Sequence, residues 1–361
     1  MSRSARKLQQ TTVVITGASA GVGRAVALRF ARAGANLALI ARDAAALDEV
    51  KQEAEKLGAT ALVFPADVAD ADALFEAADA IARERGGIDI WINDAMVTVF
   101  APVWEIAPNE FRRVTEVTYL GMVHGTMAAL RHMRRRHRGT IVQVGSALAY
   151  RGIPLQSAYC GAKHALRGFT NSLRSELDHD NSEIAVTIVE LPAVNTPQFN
   201  WARTRMPRQP RPVPPVVQPE AVAEIIFRAA LDPKREYWLG TSTLKAILGN
   251  MVLPGFLDRY LAKNAYEAQE TDAAVSSARK DNLMSPITEL HRTHGRFDTE
   301  AANGVRAIPG QAARLDATSY SSDNSPTSLR SDNKRSKRAR ASSYRPSKMR
   351  FSASQNEHGR K

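Results

Sequence analysis

Features that the sequence has little of limit the classes of protein to which it can belong. The 361 residues include one cysteine, Cys160, so no disulfide can form within the chain and no oxidising compartment is indicated. The basic stretch Met1–Lys7 leads towards the first predicted strand without the apolar segment of a signal peptide. We therefore expect a cytoplasmic protein.

One uncharged stretch is long enough to notice but too short to cross a membrane. Ala246–Leu257 has twelve residues without a charge, fewer than a bilayer-spanning helix needs. It is compatible with packing on the core, with a subunit contact or with shallow docking on a membrane, in that order of preference. Peripheral membrane association thus stays open beside the cytoplasmic location.

Positive charge is concentrated towards the C-terminus. The chain carries +12 at neutral pH, and residues 271–361 hold 17 Lys and Arg against 9 Asp and Glu, a net +8. This segment is rich in Ser, Asn, Arg and Ala and lacks sustained apolar periodicity, which predicts a disordered tail from residue 271 onwards. Its run Lys334–Arg340 would suit nucleic acid or anionic lipid, but a solvated tail without a partner is favoured.

Residues 1–270 have the pattern of one α/β domain. Short apolar runs alternate with amphipathic ones, which is typical of parallel strands connected by helices. Because the runs are almost continuously apolar, the pattern predicts a doubly wound sheet covered on both faces. Seven strands are predicted, near Val13–Thr16, Leu37–Ile40, Ala61–Phe64, Ile88–Ile92, Thr140–Val144, Ala185–Glu190 and Tyr237–Leu239.

A glycine-rich segment follows the first predicted strand. An apolar run leads through Gly17, Gly21 and Gly23 into a helix pattern rich in Ala and Val. Glycines at these positions allow a tight turn and let the amides of a helix N-terminus approach a pyrophosphate. The spacing differs from the usual G-x-G-x-x-G form, so by itself it also fits a plain strand-to-helix connection.

Three polar residues form a second pattern. Ser146 precedes Tyr159 by thirteen residues, and Lys163 follows Tyr159 by four. If the latter segment is helical, the phenol and the ammonium lie on one face, and a nearby fixed cation lowers the pKa of a tyrosine. The spacing alone also fits a half-buried helix face. Its occurrence together with the glycine-rich turn favours proton chemistry.

The segments Thr16–Gly23 and Tyr159–Lys163 together resemble the short-chain dehydrogenase/reductase family, whose motifs are Thr-Gly-x-x-x-Gly-x-Gly and Tyr-x-x-x-Lys. The resemblance implies a Rossmann fold and an NAD(P)-dependent oxidoreductase acting on a small carbonyl or alcohol. It implies that Tyr159 transfers the proton and that Ser146 holds the substrate oxygen. Lys163 would lower the Tyr159 pKa and bind the nicotinamide ribose. A homo-oligomer is expected, and this chemistry needs no metal.

The resemblance also implies a set of cofactor contacts. They are expected at the glycine-rich turn, at the ends of four further strands and on the catalytic helix, at Gly17, Ser19, Gly21, Val22, Gly23, Arg42, Asp67, Asn93, Ala95, Tyr159, Lys163 and Thr196.

Cofactor choice is predicted at the end of the second strand. Ala41 and Arg42 stand where an acidic side chain would bind the ribose of NAD. A guanidinium suits a 2′-phosphate, so NADP(H) is favoured over NAD(H), although Arg42 also fits a solvated loop. Asp43 is predicted to cap the next helix, not to bind ribose.

Two departures from the family pattern leave an alternative function open. Met96 replaces a glycine beside the cofactor path, and Thr118 replaces an asparagine that in the family supports a water relay to the lysine. Thr118 is a candidate catalytic residue on this basis, and a threonine could keep or weaken the relay. The alternative is a catalytically impaired NADP(H)-binding sensor or scaffold protein.

Residues 199–219 lie where the family keeps its substrate lid. Four arginines and repeated prolines occur there. The charge would suit an anionic group, but an exposed semi-rigid loop is favoured. The pattern predicts no particular substrate.

Overall fold

A central eight-stranded sheet organises the protein. The computed structural model describes residues 8–310. The main strands are β1 (Thr12–Thr16), β2 (Asn36–Ala41), β3 (Thr60–Pro65), β4 (Ile90–Asn93), β5 (Gly139–Ser146), β6 (Ile184–Leu191), β7 (Glu236–Leu239) and β8 (Ala307–Pro309). Their order is β8-β7-β6-β5-β4-β1-β2-β3, and β1 to β7 are parallel while β8 is antiparallel. The predicted doubly wound sheet of seven strands is confirmed, with β8 added at one edge.

Helices cover both faces of the sheet. They are α1 (Gly21–Ala31), α2 (Ala44–Lys56), α3 (Ala71–Arg85), α4 (Pro108–Thr115), α5 (Gly121–Arg136), α6 (Ser157–His179), α7 (Gln198–Trp201), α8 (Pro219–Leu231), α9 (Gly240–Val252) and α10 (Pro254–Asn264). A π-helical turn, Glu116–Leu120, separates α4 from α5. Within residues 8–310, no helix has both the length and the apolar character needed to cross a membrane.

Most of the strands are buried on both sides because their side chains alternate between two apolar layers. In β1, Val13 and Ile15 face the layer that contains α1 and α8, where the rings of Phe30 and Phe227 lie 4.9 Å apart. Val14 faces the opposite layer, which contains α3 and α5. Burial of this kind on both faces explains why the strands read as continuous apolar runs and not as alternating ones.

Aspartates at the strand-to-helix turns determine where two helices begin. The Asp43 carboxylate accepts a hydrogen bond from the Ala46 amide at 3.1 Å, and Asp70 does the same for Ala73. Each satisfies a donor that the first turn of a helix leaves without a partner. The prediction that Asp43 caps a helix is therefore confirmed.

The chain beyond residue 270 differs from its prediction. Glu270–Ala274 pairs with Arg208–Pro210, and Ala301–Ala302 pairs with Val216–Val217. Between them lies a segment that we call the strap, residues 276–300. It contributes three side chains to the core, Leu283, Ile287 and Phe297.

Disorder from residue 271 is thus wrong for residues 271–310, and the ordered domain extends past the boundary predicted at residue 270. The apolar anchors of the strap are too widely spaced to produce a periodic signal. Its backbone is held by side chains from distant parts of the chain, which no local pattern reveals. The remainder of the predicted tail, residues 311–361 with the basic run Lys334–Arg340, lies outside the described residues.

Residues 199–219 are partly ordered. The segment contains α7 and a short strand, Arg203–Thr204, which pairs with Val99–Phe100. Phe199 packs against Phe100 and Phe297 in a separate apolar cluster. Its arginines have partners of their own: Glu110 binds both Arg203 and Arg205. The lid position is therefore an anchored element and not only an exposed loop.

Candidate active site

A cavity lies at the carboxyl ends of the parallel strands. Its volume is about 400 Å³. Its walls include the turn after β1, the ends of β2, β4, β5 and β6, helix α6 and the strap. The chain reverses direction across the sheet between β1 and β4, and such a switch point is where doubly wound folds bind ligands.

The structure brings Ser146, Tyr159 and Lys163 together at this cavity. Ser146 is the last residue of β5, whereas Tyr159 and Lys163 lie one turn apart on α6. The Lys163 Nζ atom is 5.6 Å from the centroid of the Tyr159 ring, and the Ser146 side chain hydrogen-bonds to the phenol. All three residues line the cavity.

The Lys163 ammonium is held deep in the wall. Its Nζ atom donates a 2.7 Å hydrogen bond to the carbonyl of Val144, and the residue is 1% exposed. Burial lowers the pKa of Lys163 to about 8, while the negative charges of Asp94 and Glu190 oppose that shift. A cation here is both fixed in position and close to titrating at physiological pH.

The pKa of Tyr159 moves in the direction opposite to the one that the sequence predicts. Burial raises it above its ordinary value of 10, and the hydrogen bond from Ser146 only partly offsets this shift. Because desolvation penalises the phenolate, the buried phenol holds its proton tightly in the protein alone. The arrangement favours a proton donor at the Tyr159 oxygen.

Thr118 lies in the π-helical turn and does not line the cavity. Its hydroxyl donates to the carbonyl of Val97 at 2.8 Å and accepts from the amide of the same residue at 3.0 Å. The side chain's only proton is therefore committed to the loop after β4, and the catalytic role of Thr118 stays a prediction. Irregular turns of this type are often found at functional sites.

The glycine-rich turn is shaped by close backbone packing. Gly17 has a φ of +74°, and a Cβ atom there would lie 2.8 Å from the Cα atom of Ala95. A Cβ on Gly23 would lie 2.2 Å from the carbonyl oxygen of Gly17. Glycine is therefore required at both positions. Among the predicted contacts of this turn, Gly17, Ser19, Gly21 and Val22 line the cavity, whereas Gly23 packs beneath it.

Arg42 points from the end of β2 towards the strap. Its Nη2 atom donates to the carbonyl of Asn282 at 2.6 Å, and Nη1 donates to that of Met284 at 3.2 Å. Burial lowers its pKa, while the charge of Asp67 opposes the shift. The guanidinium is thus not a freely solvated loop group, since it lines the cavity and already holds acceptor oxygens.

Three of the four remaining predicted cofactor contacts are at the cavity and one is not. Asp67, Ala95 and Thr196 line it. Asn93 is fully buried, and its amide donates to Gln143 at 3.0 Å and to Thr126 at 3.1 Å. Its side chain belongs to a polar network inside the sheet and does not line the cavity.

Asp94 is a residue that the sequence interpretation missed. It lines the cavity and is hydrogen-bonded by the backbone amide of Gly23. Burial raises its pKa to about 7, against the opposing charge of Lys163. The signal was available in the sequence, because Asp94 stands at the second asparagine of the family's Asn-Asn-Ala-Gly segment.

Glu190, at the end of β6, hydrogen-bonds to the backbone of Ser146. Its Oε2 atom accepts a 2.6 Å hydrogen bond from the Ser146 amide, and the side chain is fully buried. Burial and the charge of Glu236 raise the pKa of Glu190 to about 8, despite the nearby Arg167. No sequence pattern marks this residue, because a single acid in an apolar strand has no motif.

The strap covers one side of the cavity, which the sequence did not predict. Asn282, Ile287 and His291 line it. The amide of Gly21, at the start of α1, donates to the carbonyl of Arg292 at 3.0 Å. Strap carbonyls therefore accept hydrogen bonds from the N-terminus of α1 and from Arg42. Both sets of donors point into the cavity region.

Comparison with known proteins agrees with this geometry. A family model described as short chain dehydrogenase matches residues 11–206. The uncharacterized oxidoreductase YxnA of Bacillus subtilis (strain 168) is 32% identical over 288 residues, covering 79% of this chain and 81% of that protein. Dehydrogenase/reductase SDR family member 7 of Homo sapiens is 37% identical over 175 residues, 47% of this chain and 52% of that protein. The chain thus spans about half the length of the human relative.

Solved structures show the same fold. An alcohol dehydrogenase from the archaeon Thermococcus sibiricus, complexed with 5-hydroxy-NADP, has a TM-score of 0.54 and 25% identity over 62% of this chain and 92% of that one. An NAD+-bound xylitol dehydrogenase has a TM-score of 0.50 and 28% identity over 52% of this chain and 72% of that one. With the family match spanning more than half of the chain, this protein belongs to the short-chain dehydrogenase family and is an NAD(P)-dependent oxidoreductase.

Proposed function

We propose that the protein transfers a hydride between NADP(H) and a carbonyl or alcohol substrate, with Tyr159 as the general acid and base. The observation that carries the proposal is the convergence of the Ser146 hydroxyl, the Tyr159 phenol and the Lys163 ammonium on one wall of the cavity. Each group has a separate task in moving a proton at a substrate oxygen.

During reduction, the Tyr159 phenol donates its proton to the carbonyl oxygen. Ser146, which already hydrogen-bonds to that phenol, holds the same oxygen and stabilises the charge that develops there. Lys163 keeps its ammonium in place through the bond to the Val144 carbonyl, so its positive charge favours the phenolate left behind. During oxidation the same phenolate accepts the proton from the alcohol.

The residues around the glycine-rich turn fit a dinucleotide. The amide at the N-terminus of α1 and the Arg42 guanidinium are donors that already hold carbonyl oxygens, and phosphate oxygens satisfy the same donors. When bound, the nicotinamide supplies or accepts the hydride. For phosphate to bind, the hydrogen bonds from the Gly21 amide and from Arg42 to the strap carbonyls would have to break.

Arg42 supports a preference for NADP(H). It follows Ala41, so no carboxylate is available at that position for a ribose 2′-hydroxyl. Asp43 is engaged as the cap of α2 and lies 3.2 Å from His291. The Thermococcus neighbour carries an NADP analogue and the xylitol dehydrogenase carries NAD+, so the preference rests on the residues of this chain.

The decisive experiment measures NADPH oxidation across a panel of aldehydes and ketones with the wild type and Tyr159→Phe. We expect the variant to bind NADPH nearly normally and to lose most turnover, because the substitution removes only the phenol hydroxyl, which supplies the proton. Tyr266→Phe, at an exposed tyrosine, serves as the matched control and should retain full turnover. Unimpaired turnover by Tyr159→Phe would refute the assignment. NADPH binding without turnover of any compound in the panel would instead favour the sensor alternative.

A further inference from the structure

Helices α9 and α10 form a hairpin whose tip exposes apolar side chains. Residues 251–256 are six consecutive uncharged residues, all of them exposed. Val252 is 73% exposed and Phe256 is 62% exposed. Core packing, the first option for this stretch from sequence, holds for the buried Ile247 but is wrong for the tip.

The hairpin is attached firmly to the active-site domain. The Asn250 amide donates to the carbonyl of Tyr150 at 2.9 Å. Arg151 donates to the Asp258 carboxylate at 2.5 Å and to Asn250 at 3.2 Å. Because these bonds join both helices to the segment between Ser146 and Tyr159, the exposed tip has a defined position relative to the catalytic residues.

Positive charge surrounds the apolar tip. Lys245, Arg259 and Lys263 are exposed on the two helices, and within residues 8–310 none of them forms an ion pair. The hairpin's one acid, Asp258, is already paired with Arg151. An apolar centre with uncompensated cations around it complements the interface of an anionic bilayer.

A second copy of the chain fits this surface less well. A two-fold interface places the same patch on both partners, so the three cations of one hairpin would face those of the other. Like charges across an interface oppose association. Charge complementarity therefore favours phospholipid over self-association as the occupant.

The same hairpin forms part of the cavity wall. Ser242, Thr243 and Ala246 of α9 and Leu261 of α10 line the cavity. Apolar residues such as Leu148 and Ile153 continue this wall towards Tyr159. A molecule partitioned into the lipid interface at the tip would thus lie next to an apolar side of the active site.

We propose that the α9–α10 hairpin docks on anionic phospholipid and that the substrate is a long-chain apolar carbonyl or alcohol taken from that interface. The docking surface stands on its own observations, whereas the substrate class rests on the proposed oxidoreductase function. The tip enters the interfacial layer, and Lys245, Arg259 and Lys263 contact lipid phosphates. The cavity then opens beside the bilayer.

The test uses the full chain, without cofactor, in sedimentation with vesicles of phosphatidylcholine and phosphatidylglycerol. We expect Val252→Ser combined with Phe256→Ser to weaken vesicle binding by about tenfold or more, because two large apolar side chains no longer enter the interface. The matched control is Val103→Ser combined with Trp104→Ser, since these side chains are 56% and 81% exposed outside the hairpin. All variants keep residues 311–361, so a contribution from that segment is common to them.

A charge variant tests the cations separately. Changing Lys245, Arg259 and Lys263 to Glu should remove the preference for vesicles with phosphatidylglycerol over vesicles of phosphatidylcholine alone. Equal vesicle binding by the wild type and the tip variant would overturn the docking proposal. So would a wild-type dimer, measured by analytical ultracentrifugation without vesicles, that dissociates in the tip variant.

The substrate class has its own readout. The tip variant should reduce a short water-soluble aldehyde at the wild-type rate and lose activity only towards a long-chain aldehyde presented in vesicles. If it loses neither, delivery from the membrane is wrong. If the wild type binds vesicles but reduces neither aldehyde, the oxidoreductase proposal fails while the docking surface stands.

Discussion

Asp94 and Lys163 both line the wall of the cavity, where Lys163 is buried and Asp94 is half-buried. Burial raises the pKa of Asp94 to about 7 and lowers that of Lys163 to about 8, and each charge opposes the shift of the other. The pair therefore titrates within the physiological range. The charge of Lys163 beside Tyr159 therefore depends on the carboxylate of Asp94. The asparagine that the family usually has at this position carries no charge and would not have this effect.

Replacing Asp94 with Asn should shift the pH dependence of the reaction. The Asp94 carboxylate stabilises the Lys163 ammonium, so its removal lowers the Lys163 pKa further below its ordinary value. The ammonium is then lost at lower pH, and the alkaline limb of kcat/KM should move towards acid by about one pH unit. Steady-state rates over a pH series would measure this shift. Asp70→Asn, at a remote helix cap, should leave the limb unchanged; an unmoved limb in Asp94→Asn would refute the coupling.

Glu190 should make the stability of the protein decrease as pH rises. Its pKa in the folded state, about 8, lies above the ordinary value of 4.5. The stabilisation from holding the neutral acid is therefore fully present below about pH 4.5 and is lost as pH rises through 8. The loss should be on the order of a few kcal/mol.

Glu190→Gln provides the comparison for this pH effect. The amide oxygen can still accept the hydrogen bond from Ser146, but the side chain no longer titrates. Urea unfolding between about pH 4 and about pH 9, which bracket the interval from 4.5 to 8, should show a flatter profile in the variant. Identical slopes in the two proteins would mean that Glu190 does not carry the dependence.

Thr118→Val should destabilise the fold by on the order of 1–3 kcal/mol, because it leaves the amide and the carbonyl of Val97 without their partner. Both groups are hydrogen-bonded by the Thr118 hydroxyl. Thr118→Ser keeps the hydroxyl and should cost less. The free energy of unfolding in urea distinguishes the two variants. Equal losses would show that the methyl group, and not the pair of hydrogen bonds, is what matters at this position.

Arg42→Ala should weaken NADPH binding by about ten- to hundredfold while changing NADH binding little, since a charge-assisted contact is lost only with the 2′-phosphate. Fluorescence titration with both nucleotides gives the ratio directly. Arg42 also donates hydrogen bonds to strap carbonyls. A loss of affinity that is the same for both nucleotides would therefore indicate a displaced strap. Arg42→Lys should retain part of the preference. Equal weakening of the two nucleotides by Arg42→Ala would contradict the assignment.

Local patterns predicted much of the fold and part of the site. The seven strands were predictable because both faces of most of them are buried, so their apolar runs are continuous. Asp43 was predictable as a cap because a cap acts within its own turn. The positions of Tyr159 and Lys163 on one helix followed from a spacing of four residues. Such features depend on neighbours close in the chain.

Other features depended on partners far away in the chain. Arg42 contacts Asn282 across 240 residues, and the strap has no periodicity of its own from which this contact could be inferred. The direction of the Tyr159 pKa shift also required the structure, because burial by distant segments outweighs the hydrogen bond from Ser146. Asn93 matches a family motif, but its side chain lies inside the sheet. There its amide donates hydrogen bonds to Thr126 and Gln143.

The sequence by itself determined the doubly wound sheet, the glycine-rich turn and the pattern of Ser146, Tyr159 and Lys163 for which we propose a catalytic role, because periodicity and short spacings can be read along the chain. Only the tertiary structure decided that a C-terminal strap covers the cavity, that Asp94 and Lys163 oppose each other's pKa shifts, and that an apolar hairpin tip faces outwards. Burial and charge coupling arise from which distant segments exclude water around a side chain, and that exclusion exists only once the chain has packed.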